Sequence, residues 1–449
     1  MTPPVTPPVK RLLLVSAAAG LAALTACTAG TESGPPEVAR SGAGHEPVTI
    51  EFWHGFSADN ELKAFDETLA GFQKKFPWIT VKATKAVQDG QILQSVRGGN
   101  PPDVALSFTT DSVAEFCKAG IFQDLNPYLK ASGIDPAALF PKVIAEYTQY
   151  RGRRCVMPML ADAYGLYYNK ALMKGHEPPK TMGELAGLAR KLTVKDGKGE
   201  IKVAGFVPTS QMYENAPIHT GVMVGAKWTN PDGTSAIGSD PRWKTLMTWQ
   251  KDLTDWYGYD ELEKFRKSFG DEWSAENPFT TGKVAMAIDG EWRTAMLAAD
   301  APDLDYGTAP LPVADDQPQR YGAGYITGTV IGVPRGAKHP EAAWELVKYL
   351  TTDTGTLVTL SNAIRNVPST LPALQSPDLK KDPRFQTFLD VFANPDSTTL
   401  PAHVNSVFNQ QTLQEAQIKW ESGRASDLDA LLAEVDKKID EKLRLTAGG

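Results

Sequence analysis

Residues 48–81 read VTIEFWHGFSADNELKAFDETLAGFQKKFPWITV, and the fold is decided in this stretch. Val48, Ile50 and Phe52 alternate with polar residues, the period-two pattern of a half-buried strand. From Leu62 the period lengthens. Leu62, Phe65, Leu69, Phe72 and Phe76 fall on one face of a helix that Ser57 is placed to cap. Pro77 ends that helix, and Ile79 and Val81 begin a second strand. The alternation continues with a short helix near 90–97, the turn Gly98-Gly99-Asn100-Pro101-Pro102, a strand at 103–108 and a helix at 111–118 before Gly120. Strands and helices alternating at these lengths predict an α/β chain with a doubly wound, mainly parallel sheet.

A second stretch of the same kind opens with an apolar-aromatic strand at 163–169, then a helix at 181–192 behind Pro178-Pro179. Helices are expected at 240–257, 290–299, 338–351, 382–393, 407–420 and 426–444, and strands at 201–206, 283–288, 304–308 and 325–333. The α/β alternation therefore resumes twice, which suits two lobes joined by more than one crossover. With 449 residues the chain is long enough for two cores.

The first residues carry a different signal. Lys10 and Arg11 precede an apolar run from Leu12 to Ala26, and the run closes on Leu24-Thr25-Ala26-Cys27. A basic start, a short apolar run and small residues before a cut describe a secretory signal peptide. The last four residues resemble the bacterial lipobox. That resemblance implies removal of 1–26 and a diacylglycerol on Cys27, which would hold the protein on the outer face of the cell membrane without a spanning helix. Residues 27–47 are then the lipidated cysteine and a Gly/Ser/Thr/Pro tether that cannot bury enough to order itself.

The chain has 46 Lys and Arg against 53 Asp and Glu, a net charge of −7 that becomes two units more negative once Lys10 and Arg11 leave with the leader. An acidic chain without a basic run is a poor partner for nucleic acid. With Cys27 lipidated, Cys117 and Cys155 remain, an even number in an oxidising compartment, and a disulfide between them is expected. No C-x-x-C is present, and the six histidines show no metal-ligand spacing, so neither a metal nor a cofactor is implied. Hydrolase and nucleotide-binding signatures (G-x-S-x-G, H-E-x-x-H, the P-loop, S-x-x-K) are missing from the sequence. Gly322-Ala323-Gly324-Tyr325-Ile326-Thr327-Gly328 is one residue too long for a dinucleotide fingerprint. Asp289 and Glu291 form a near pair of the kind glycosidases need, but one such pair is common by chance in an acidic chain. No enzyme is expected from these motifs.

Aromatic and polar residues recur at strand ends, at Trp53-His54-Gly55-Phe56 and at Ser107-Phe108-Thr109-Thr110-Asp111, where open α/β sheets place their ligands. Together with "LQSVRGGNPPDVALS", "AGIFQDLNPYL", "ADAYGLYYNKALM", "FTTGKVAMAIDGEW" and "IGVPRGAKHPEAAWELVKYL", the opening "VTIEFWHGFS" resembles the extracellular solute-binding proteins of carbohydrate ABC importers, the maltose-binding-protein-like group, with an actinobacterial texture. The resemblance runs from about residue 48 to the C-terminus. It implies two hinged lobes, 48–158 plus 310–353 and 159–309 plus 354–449, with crossovers near Pro158–Asp162, Pro310 and 352–360. It also implies a monomer that captures a carbohydrate in the cleft and delivers it to ABC permease subunits.

Carried onto this chain, the resemblance makes Trp292 a stacking aromatic and Asp162 an acceptor for sugar hydroxyls. Trp53, His54, Phe56, Phe108, Thr109, Thr110, Tyr213 and His219 are expected as further contacts, with Gly324, Tyr325 and Arg365 behind them. Trp243, Trp249, Trp256, Trp344 and Trp420 fall on amphipathic helices and are expected to pack, and Asp103 to fix the turn after Pro102. "YRGRRCVMPML" and "PFTTG" depart from the family pattern, so no particular sugar follows. A polyol, glycerol phosphate or peptide remains an alternative solute, with Arg153, Arg154 and Arg365 available to a phosphate. A sensor module is a further alternative, and a secreted hydrolase a weaker one.

Overall fold

Thirteen consecutive residues, Met157–Asn169, form one strand in which every residue but Tyr168 is buried. The computed structural model that shows this describes residues 46–400 and 402–447. The expected leader, Cys27 and the tether through residue 45 lie outside the described residues. In chain order the strands are β1 (Val48–Trp53), β2 (Ile79–Thr84), β3 (Val104–Ser107), β4 (Met157–Asn169), β5 (Val194–Lys195), β6 (Ile201–Val203), β7 (Met286–Gly290), β8 (Tyr306–Pro310), β9 (Ile326–Gly332) and β10 (Val367–Pro368). Eight of them form one sheet, with the path β10-β4-β9-β3-β1-β2 and with β7 and β8 paired to β4.

The sheet has two halves, and β4 belongs to both. Residues 157–163 of β4 pair antiparallel with β9, whereas residues 164–169 pair antiparallel with β7 and β8. The apolar run of this strand therefore begins six residues before the expected Ala163. It passes unbroken through the expected crossover, absorbing Pro158, which has no N–H to give the ladder, in a register shift between Pro158 and Leu160. The expectation of a mainly parallel sheet is corrected as well. Among the described pairs of this sheet, only β1–β2 and β1–β3 are parallel. Strands that carry the chain between halves return in the opposite sense, and antiparallel pairs need no covering helix.

The helix Asp59–Lys75 buries Ala64, Phe65, Thr68, Leu69 and Phe72. Ser57 is not its cap. Ala58 holds that position, and the Glu61 carboxylate instead accepts from the backbone N–H of Ser57 and Ala58 at 3.3 and 3.1 Å. The helix Thr354–Ile364 packs on Asp59–Lys75. Leu357, Val358 and Leu360 of that helix are buried. Trp243 and Trp344 are core residues as expected, but Trp256 is 41% exposed. Asp103 ties β1 to a distant loop, accepting from Glu51 N at 3.0 Å and from Lys338 N and His339 N at 2.9 Å. Cys117 and Cys155 are buried with Cα atoms 5.4 Å apart, and their sulfurs are bonded. Among the described residues no helix is long and apolar enough to cross a membrane.

Candidate ligand-binding site

At the point where β4 leaves β9 for β7 and β8, aromatic rings from five segments meet. Tyr164, on β4, stacks on His219 with centroids 4.2 Å apart and ring planes 19° apart. Trp292 meets Tyr164 edge-on at 5.5 Å, and Tyr325 lies 5.9 Å from Tyr164 and 5.7 Å from His219. Tyr213 stands edge-on to His219 at 5.0 Å and to Trp273 at 5.8 Å, and Trp273 closes the array on Trp292 at 6.3 Å. The two outer rings, Tyr213 and Trp273, are half exposed, while Tyr164, His219 and Tyr325 are buried beneath. The array has a solvated rim and a dry floor.

Local sequence explains how each ring is held. Trp292 follows β7, and its indole lies against Gly290, where a Cβ would stand 2.1 Å from Cζ3; only glycine admits the ring there. Tyr213 ends an irregular loop pinned from outside. Glu421 accepts from Ser210 N and from the Thr209 hydroxyl at 3.1 Å, and Asn215 Nδ2 donates to Val207 O at 2.7 Å. His219 sits on the helix Pro217–Val224 with Nδ1 3.0 Å from Tyr213 O, so the histidine also fixes the tyrosine. Burial pushes the His219 pKa down to about 4, and the imidazole is neutral at pH 7. The segment bearing Trp273 is held by Arg293, which donates to Glu272 O at 3.0 Å and binds Asp289 at 2.6 Å.

Polar groups converge on the array. Asp111 Oδ1, Tyr325 Oη, Gln410 Nε2 and Trp292 Nε1 are buried without a hydrogen-bond partner among the described residues. Gln410, Thr109 and Tyr325 stand near enough to the Asp111 carboxyl to oppose the upward pKa shift that burial gives it. Thr110 is bonded to Thr327 at 3.0 Å, joining the end of β3 to β9 beside them. An unpartnered buried polar atom costs about 1–3 kcal/mol. A carboxyl acceptor, a phenol hydroxyl, an amide N–H and an indole N–H beside stacked rings suit a solute with both a hydroxylated rim and a flat C–H face.

Of the residues expected from sequence, the structure brings together Asp162, Tyr213, His219, Trp292 and Tyr325, with Thr109 and Thr110 on the adjoining strand end. Others are elsewhere. His54 and Phe56 are buried against Phe65, at 5.3 and 4.5 Å, in a separate ring cluster inside the first lobe. That burial lowers the His54 pKa to about 4. Trp53 packs half-buried on the same core, and Phe108 lies exposed across Gly55 and edge-on to Phe56 at 4.7 Å. Gly324 is backed onto Val391 and contributes backbone only. Arg365 is held by Asp382 at 2.7 Å and by Lys380 O at 2.9 Å. Sequence reasoning missed Tyr164, Trp273, Gln410 and Asp111 as site residues. Tyr164 and Asp111 lay inside quoted motifs, at strand positions whose outlook a sequence does not reveal. Trp273 and Gln410 stand far from any motif.

A profile of the bacterial extracellular solute-binding protein family matches residues 58–356. The maltotriose-binding protein of Pyrococcus abyssi is 23% identical over 350 residues, covering 74% of this chain and 69% of its own. An ABC transporter extracellular-binding protein of Pyrococcus horikoshii is 28% identical over 365 residues, 76% of this chain and 78% of its own. Among solved structures, a protein with mannotriose bound superposes with a TM-score of 0.79 at 24% identity, over 87% of this chain and all of its own. The GacH receptor of Streptomyces glaucescens, solved unliganded and with acarbose, gives 0.72 at 21%, over 89% and 99%. These likenesses establish the two-lobe binding-protein fold. With two thirds of its length matched by the family profile, the chain belongs to the bacterial extracellular solute-binding proteins.

Proposed function

We propose that this protein captures a carbohydrate between its two lobes and delivers it to the permease of an ABC importer. The reading is carried by one observation: the array of Tyr164, Tyr213, His219, Trp273, Trp292 and Tyr325 surrounds unpartnered buried polar atoms of Asp111, Gln410 and Trp292. Neither lobe supplies all of these groups. Asp111 follows β3 in the first lobe, whereas Trp292 follows β7 in the second. Binding energy is therefore collected when the lobes close, and a ligand shifts that equilibrium by its preference for the closed state. Names of relatives that bind maltotriose, mannotriose or acarbose support the same class of solute.

A phosphate-bearing solute is less well served. Arg154 donates to Thr148 and to Ala145 O, Arg153 to Phe122 O, and Arg365 is paired with Asp382. We assign the lobes as 48–158 plus 310–364 and 159–309 plus 365–447, moving the last boundary past the helix Thr354–Ile364. A monomer tethered by lipid on Cys27 to the outer membrane face completes the reading. Mass spectrometry of the membrane fraction tests the tether, which an unmodified protein of full secreted mass would refute.

A thermal-shift screen of mono- and oligosaccharides tests the solute, since a ligand at 100 times its Kd stabilises by about 2.7 kcal/mol. Calorimetry with the sugar so found should show Trp292→Ala losing about 2–4 kcal/mol, the range of buried aromatic anchors. Wild-type affinity in a folded Trp292→Ala protein would place the solute elsewhere, and hydrolysis of the sugar would overturn the class of function.

A further inference from the structure

Asp162 stands opposite Thr327 of β9, two residues before β4 takes up its second set of partners at Tyr164. Its carboxylate shares one amide with a second carboxyl. Asn366 Nδ2 donates to Asp162 Oδ1 at 2.5 Å and to Glu291 Oε1 at 3.2 Å. The other oxygen of Glu291 accepts from Ala163 N at 2.8 Å. All three side chains are buried. Two carboxyls, from β4 and from the residue after β7, thus meet on one amide that leads into β10.

Among the described residues no cation answers them. The titratable groups that face Asp162 are Tyr147 from the helix Lys142–Tyr147, Tyr164 from β4, Tyr213, Tyr325 ahead of β9, and Glu291 itself. Glu291 faces Asp162 and Tyr167. Arg293, two residues from Glu291, is bound to Asp289 and Glu272 O. Two carboxylates that share one amide nitrogen in a dry site cannot both ionise, and the amide cannot neutralise either. A single proton resolves the conflict by letting one carboxyl donate to the other.

We propose that Glu291 and Asn366 are positioning residues for ligand capture, forming with Asp162 a clasp that one shared proton closes and that holds the crossover and the cleft beside it in binding geometry. When the proton passes to solvent, the carboxylates repel and Asp162 is released. Burial agrees with this direction: it pushes the Asp162 carboxyl up to about 6 and Glu291 higher still. Groups raised on folding stabilise below their unfolded pKa and lose that contribution as pH rises through the folded value. The proton that closes the clasp is the last that the pair gives up, so the clasp weakens as pH rises through the Glu291 value, above the point near 6 where Asp162 ionises. Its link to sugar affinity rests on the carbohydrate reading, but the clasp itself does not.

The test compares wild type, Glu291→Gln and Asp162→Asn without ligand, following tryptophan fluorescence and thermal midpoint from pH 5 to 10. The amide introduced by Glu291→Gln would keep the acceptor for Ala163 N and donate to Asp162 without a proton to lose. Asp89 and Glu421, raised to about 6 and about 7, titrate in the same range, so the difference between variants is read. Wild type should lose about 2 °C or more relative to Glu291→Gln as pH rises, with a one-proton fluorescence change missing from both variants. Superimposable curves would overturn the clasp. With maltotriose and mannotriose as probes, wild type should bind about three- to tenfold more weakly at a pH above the ligand-free transition than at one below it, and Glu291→Gln equally at both. Equal wild-type affinity at the two pH values would overturn the positioning role. No binding of either sugar, with the ligand-free transition present, would count against the carbohydrate reading and for the clasp.

Discussion

Replacing Arg293 by alanine is expected to destabilise the protein by about 3–5 kcal/mol, the cost of breaking a buried ion pair by removing one partner. The guanidinium is 1% exposed and its Nε lies 2.6 Å from Asp289 Oδ2. Without it, Asp289 would be left buried near Glu214 and Glu272, whose carboxyls already crowd one another; burial and these neighbours push the Glu214 pKa well up. Arg293 also donates to Glu272 O, one residue before Trp273, and starts the helix that follows Trp292. Capture should therefore fail together with stability. Urea unfolding of Arg293→Ala and of Arg293→Ala with Asp289→Ala is the measurement, and the double variant should recover part of the loss because no unpaired carboxylate remains. A single variant within about 1 kcal/mol of wild type would show that water reaches the pair.

Removing the Cys117–Cys155 bond, as Cys117→Ser with Cys155→Ser, should cost roughly 3–4 kcal/mol in the loop-entropy treatment, given a sequence separation of 38 residues. Cys117 lies on the helix Val113–Lys118, just after Asp111, and Cys155 leads into β4. The bond thus ties a binding loop to the central strand. Denaturant midpoints of wild type and the double variant measure the cost, and alkylation of denatured, unreduced protein counts the thiols. Two free thiols in exported protein would refute the bond. Reduction under native conditions should be slow, since both sulfurs belong to buried residues.

Local periodicity was enough for many of the longer elements, but not for the helices Pro217–Val224, Tyr259–Arg266 and Thr354–Ile364. Phe65, Leu69 and Phe72 could only be one helical face, and Val48, Ile50 and Phe52 only one strand, because side-chain spacing follows directly from backbone geometry. The helices at 182–192, 241–257 and 383–393 begin and end within a residue or two of their pattern for the same reason. Trp292, which the family resemblance offered as a stacking aromatic, stands just past the end of β7 against Gly290.

What the sequence alone determined is thus the class of fold, most of its longer elements and the family, each set by residues close together along the chain. Only the tertiary structure decided that β4 is continuous across both halves, that Thr354–Ile364 packs on Asp59–Lys75, and that His54 faces Phe65 instead of the cleft. It alone joined Asp111 with Gln410, and Asp162 with Glu291 and Asn366, partners far apart along the chain. The physical reason is range. Propensity and periodicity act over a few residues, whereas burial and the pairing of polar groups are settled by whichever distant segments the packed core brings together.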